Sequence, residues 1–145
     1  MSVNLSAYNQ YNQYNQYKQS SVYTATPEEL TLMLYNGLIK FIMQAQDAIK
    51  DKNFEKAHES IIRAEDIIDE FKSTLDMQYD VSKGLSMLYD YMNERLMQAN
   101  IKKDSAILEE VLNFAKELRD TWSQAMKLAK KQSAGNNQLK SVNAK

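Results

Sequence analysis

Between Thr26 and Lys131 the chain contains a single proline, Pro27, and two glycines, Gly37 and Gly84. Strands must be joined by turns every few residues, and those turns draw on Gly, Pro and Asn. A stretch this long and this poor in them has to be made of a few long elements. Its apolar residues recur at steps of three and four, the period of one face of an α-helix.

Four helices are predicted. The first opens at Thr26, with Pro27 in the first helical position and Glu29 three residues after the cap, which is the pattern of a capping box. It runs to about Ile49. One apolar stripe is Leu30, Leu34, Leu38, Phe41, Ala45 and Ala48; a second is Leu32, Tyr35, Ile39 and Ile42. Two stripes mean contacts on two sides. Gly37 inside this helix costs about 1 kcal/mol relative to alanine, and a close approach by another backbone would justify it. The second helix runs from Asn53 to about Leu75, with Ala57, Ile61, Ala64, Ile68, Phe71 and Leu75 inward and Glu55, Glu59, Arg63, Asp66 and Glu70 outward. The third starts between Asp80 and Leu85 and ends near Asn100, burying Leu85, Leu88, Tyr89, Met92, Leu96 and Ala99. After a link over Ile101–Lys103, Asp104 caps the fourth, whose stripe is Ile107, Leu108, Val111, Ala115, Leu118, Trp122, Ala125 and Ala129. Short links make sequence neighbours antiparallel neighbours in space. The expected fold is therefore all-α, an antiparallel up-down-up-down four-helix bundle over residues 23–131.

The two ends are different material. Residues 1–22 form a low-complexity leader in which Tyr-Asn-Gln occurs three times, at Tyr8, Tyr11 and Tyr14, before Tyr17 begins a broken fourth copy. Asn, Gln and Tyr do not make a dry core, so the leader is expected to be flexible, though its tyrosines are amphipathic anchors able to rest on an apolar surface. Residues 132–145 are expected to be a disordered basic tail: the last acid is Asp120, and five lysines follow it.

The residues offer little for catalysis. There is no cysteine, which excludes disulfides and thiolate chemistry. The one histidine, His58, falls beside Glu55 and Glu59. A phosphotransfer histidine would want a lysine and a glycine after it, whereas Glu59-Ser60-Ile61-Ile62 follows. The carboxylates have no second histidine with which to form a bundle metal site, and no glycine-rich phosphate loop is present. No enzyme activity, cofactor or metal is expected. A formal net charge of −1 gives no field that attracts nucleic acid. Nowhere is there a run of the ~20 apolar residues that a membrane span requires. The start of the chain lacks a basic-then-apolar signal pattern, so a cytoplasmic location is expected.

What remains is apolar surface. Met87 and Tyr91 lie off the core stripe of the third helix, and Tyr35 and Ile39 off the main stripe of the first. Either they pack a wide bundle, or, with eight methionines in the chain, they line an adaptable groove for an amphipathic helix. Leu32 and Arg95 lie at the margin of that groove. Tyr8, Tyr11, Tyr14 and Tyr17 are candidates for a tethered lid over it.

Four motifs carry a family resemblance. TPEELTLMLYNG, from Thr26 to Gly37, and LYDYMNERLMQANIKKD, from Leu88 to Asp104, closely resemble segments of the flagellar secretion chaperones, the FliS family; AEDIIDEFKSTLDM, from Ala64, and ELRDTWSQA, from Glu117, are weaker matches in the same order. The resemblance implies a cytosolic chaperone that is monomeric when free. It would bind the disordered C-terminal segment of flagellin, prevent premature polymerisation, and keep the subunit competent for type III export with the export apparatus as a further partner. A histidine phosphotransfer bundle and a purely structural bundle are the alternatives. The regular YNQ leader and the lysine-rich tail depart from the family pattern.

Overall fold

A computed structural model describes the backbone of residues 24–143 and the side chains of residues 24–136. The tyrosine leader, with the lid candidates Tyr8, Tyr11, Tyr14 and Tyr17, lies outside the described residues. By internal contacts the chain divides into two units, residues 1–31 and 32–145.

In the first unit the described part holds the start of helix α1 (Pro27–Lys50). The capping box forms reciprocally. The Glu29 amide donates to Thr26 Oγ1 at 3.1 Å, and the Thr26 amide donates to Glu29 Oε2 at 3.4 Å, so two amides that the helix cannot satisfy find acceptors.

The second unit carries the rest of α1 and then α2 (Phe54–Thr74), α3 (Asp80–Lys102) and α4 (Ser105–Asn143). Side-chain partners fix the directions. Lys72 pairs with Asp90, Asp69 with Asn93 and His58 with Asn100, so α2 and α3 run antiparallel. Tyr35 stacks on Phe71 and the Arg63 guanidinium lies over Phe41, which makes α1 antiparallel to α2. Arg95 meets Glu110 and Tyr91 meets Phe114, so α3 and α4 are antiparallel. This is the expected up-down-up-down bundle.

The links work without glycine. Lys52 (φ 58°) and Lys103 (φ 51°) take the left-handed conformation at the ends of α1 and α3, a position where glycine avoids a Cβ clash. The closing hydrogen bonds compensate: Asn53 N–H to the Ala48 carbonyl at 2.8 Å, and Asp104 N–H to the Ala99 carbonyl at 3.1 Å. Lys103 Nζ also donates to the carbonyl and side-chain oxygens of Asn100. Asn53 caps α2 by accepting from the Lys56 amide, and Asp104 accepts from the Ala106 amide at the start of α4.

The core holds Leu38 and Ile42 from α1, Ile61 and Ile68 from α2, Met92 and Leu96 from α3, and Leu108 and Val111 from α4, all closed to solvent. On α1 the two expected stripes merge into one arc, Tyr35, Leu38, Ile39, Ile42, Ala45 and Ala48, with Leu34 and Phe41 at its edge. A Cβ on Gly37 would meet the side chain of Ile67, 3.4 Å from its Cδ1, so the neighbour is a side chain rather than the expected backbone. Helix α4 differs most from expectation. Ala125 and Ala129 are exposed rather than buried, and the helix runs on past Lys131 to Asn143. Burial fades beyond half-buried Trp122, because the partner helices no longer reach that part of α4.

Three rings tie α1, α2 and α3 together. Tyr35 and Phe71 stack with centroids 4.4 Å apart, Phe71 and Tyr89 at 5.7 Å, and the buried hydroxyls of Tyr35 and Tyr89 bond to each other at 2.9 Å. Replacing either tyrosine alone by phenylalanine strands the other hydroxyl and is expected to cost about 1–3 kcal/mol, while the double replacement costs less than the sum, as a double-mutant denaturation cycle would read. Burial raises the pKa of both phenols above the ordinary value. A raised folded pKa gives a contribution present below the unfolded pKa, about 10, and lost as pH rises past it. The parent protein should therefore lose stability above about pH 10 more steeply than Tyr35→Phe/Tyr89→Phe.

Candidate functional site

Of the side chains expected at a groove, Tyr35 and Ile39 do not belong to a surface. They are 6% and 7% exposed and form part of the core. The reason is azimuthal. The buried arc of α1 centres between its two stripes, so residues that were off the first stripe are carried inward. Leu32 is half-buried.

The remaining candidates come together on the side of α3 that faces α4. Met87 is 73% exposed and Tyr91 42% exposed. They stand one turn apart on α3, and Arg95 follows one turn later, so α-helical spacing puts all three on one flank. The Tyr91 ring meets Phe114 of α4 edge-on, with centroids 6.1 Å apart and planes at 89°. Phe114 is absent from the expected α4 stripe, which runs through Ala115, although its spacing from Val111 and Leu118 fits the apolar period. Leu112, also buried, lies four residues after Leu108 and three before Ala115, so the same period reaches it.

Glu110 is the polar hub of this face. Its carboxylate accepts from the Tyr91 hydroxyl through Oε1 and pairs with Arg95 Nη2 through Oε2 at 3.4 Å. Arg95 Nη1 donates to Gln98 Oε1, and its Nε is buried without a partner. The bond to Glu110 raises the Tyr91 pKa, since ionising the phenol would break the bond and set two negative charges together. The arrangement is an apolar strip with a fixed polar edge, suited to the apolar face of a helix with hydrogen-bonding groups at its margin. His58 lies elsewhere, exposed on α2, with Nδ1 2.9 Å from the Asn100 amide nitrogen of α3.

Comparison with known proteins places this geometry in context. The family model for the flagellar protein FliS matches residues 10–129. A flagellar secretion chaperone FliS of Bacillus subtilis is 46% identical over 117 residues, covering 81% of this chain and 88% of its own. That of Salmonella typhimurium is 32% identical over 109 residues, covering 73% and 81%. A crystal structure described as a flagellar chaperone from bacteria superposes with a TM-score of 0.65 at 18% identity, over 81% of this chain and 98% of that one, which shows a shared fold.

Burial separates core from site in a way that substitution can check. Tyr35→Ala empties a core position and should cost about 3–5 kcal/mol in denaturant unfolding. Tyr91→Ala, which removes a half-exposed ring and its bond to Glu110, should cost no more than about 1 kcal/mol.

Proposed function

The chain belongs to the flagellar protein FliS family, and on that premise we propose that it is a flagellar export chaperone that holds the C-terminal segment of a flagellin. The observation that carries the reading is the α3–α4 face, where Met87 and Tyr91 leave apolar surface in solvent beside Phe114 while Glu110 and Arg95 hold a fixed polar edge. A self-contained bundle gains nothing from that exposure; a client helix laid on it would bury it. Met87, Tyr91 and Arg95 are the proposed client contacts, with Leu32 at the margin.

Subunit packing in a filament and docking on a chaperone would use the same amphipathic client helices. Occupying them in the cytoplasm would block premature polymerisation and leave the subunit fit for type III export, with the export apparatus as the receiving partner. Ordering a client that is disordered when free costs several kcal/mol, which offsets much of the contact energy and keeps the complex releasable without a nucleotide. No helix among the described residues is long and apolar enough to cross a membrane.

Titration calorimetry with a flagellin C-terminal peptide should give a 1:1 complex with a negative heat-capacity change, the mark of buried apolar area. Tyr91→Ala should weaken it by about 1–2 kcal/mol. Binding of undiminished strength to a flagellin that lacks its C-terminal segment would refute the proposal.

A further inference from the structure

On its other flank, where it packs against α2, helix α3 carries a surface of different chemistry. The contact of His58 with Asn100 marks its centre. Around that contact four large apolar side chains stand in solvent. Phe54 and Ile62 lie one turn to either side of His58 on α2; Met97 and Ile101 flank Asn100 on α3 and are 53% and 77% exposed. Farther along the same two helices, Glu65, Asp69, Asn93 and Glu94 line a depression that Met97 closes at the apolar end.

Lys72 stands near the depression and its charge is felt at Asp69, but its ammonium is paired with Asp90, so the lining acids have no ion pair of their own. The ion pairs among the described residues join Lys72 to Asp90, Arg95 to Glu110 and Arg119 to Asp120, and none uses Glu65, Asp69 or Glu94. Asn93 spends its amide N–H on Asp69 at 2.8 Å, leaving Oδ1 buried without a donor. Burial, and then the nearby charges of Asp69 and Asp66, push the Glu65 pKa up, with His58 opposing weakly. Crowded carboxylates beside an exposed apolar patch are costly in an isolated bundle, and a cationic side chain that brings its own apolar neighbour would relieve both costs.

We infer that the α2–α3 face docks a second polypeptide, an amphipathic helix that lays an apolar side chain on Phe54, Met97 and Ile101 and reaches a lysine or arginine into the depression of Glu65, Asp69 and Asn93. The two features lie about one to two helical turns apart along α3, the spacing at which one helix face can present both groups. Electrostatic complementarity selects a basic partner and excludes an acidic one. The depression lined by Glu65, Asp69 and Asn93 shares no residue with the Met87–Tyr91–Phe114 strip, and the inference stands whether or not the client is flagellin.

The test is a nuclear magnetic resonance titration of the isotope-labelled full chain with a synthetic Leu/Lys amphipathic peptide of about 15 residues, long enough to hold a helix when docked. A matched peptide with glutamate in place of lysine serves as control. Amide shifts should concentrate at Glu65, Asp69, Asn93, Met97 and Ile101. Affinity should fall at least about tenfold in Glu65→Lys/Asp69→Lys and with the glutamate peptide, since rim charge reversal acts at that scale. Ile101→Ser, a change at an exposed position that leaves the fold intact, should also weaken binding, and Tyr91→Ala should not. Shifts confined to Met87, Tyr91 and Phe114, or equal binding of the two peptides, would overturn the inference. So would peptide-free, concentration-dependent shifts at the same five residues, because the occupant would then be the lysine-bearing end of α4 from a second copy.

Discussion

Tyr35, Phe71 and Tyr89 stack in series and close with one hydrogen bond between two phenol oxygens. Among the described residues neither hydroxyl has another partner, so the bond holds α1 and α3 at one mutual rotation across the ring of α2. That rotation decides which side chains of α1 face inward. With Tyr35 pointing at Tyr89, Ile39 and Ile42 follow into the core, and Met33 and Met43 are left exposed. The cost of burying two hydroxyls is met only while both are present, which makes the pair a constraint on geometry more than a source of stability.

Helix α3 is used on three sides. Tyr89, Met92, Leu96 and Ala99 form the side that faces the core. One flank carries Tyr91 and Arg95 toward α4 and the other carries Asn93 and Asn100 toward α2, while Met87 and Ile101 point out into solvent between them. The flanks differ in chemistry. On the α4 side the charges are already matched, since Glu110 holds both Tyr91 and Arg95. On the α2 side the acids outnumber the cations. A surface with its charges settled suits a client taken for its apolar face, and a surface with charges unsettled suits a partner chosen by its sign.

Scarcity of glycine shapes the links as well as the helices. The turns after α1 and α3 put lysines into a left-handed conformation and rely on backbone bonds back to Ala48 and Ala99 to hold them there. The helix ends are therefore firm although their sequences look permissive, and the relative rotation of the helices is set at the turns as well as by the rings.

Local signals in the sequence determined a good deal. Thr26, Pro27 and Glu29 mark the start of α1 and Asp104 the cap of α4, and the core stripes of α2 and α3 are legible because each keeps an unbroken period of three and four. The short links made the antiparallel order legible, and four motifs in order made the family legible. Tertiary structure alone decided which part of a wide apolar surface is core. On α1 two stripes compete, and only the position of Tyr89 and Phe71 shows that Tyr35 belongs inside while Met87 and Tyr91, equally off-stripe on α3, stay outside. On α4 the periodicity continues through Ala125 and Ala129 after its partners have ended, and periodicity carries no information about where a neighbouring helix stops. Hydrophobic spacing records the rotation of a residue about its own helix, whereas burial depends on what stands opposite, which is a property of the assembled bundle.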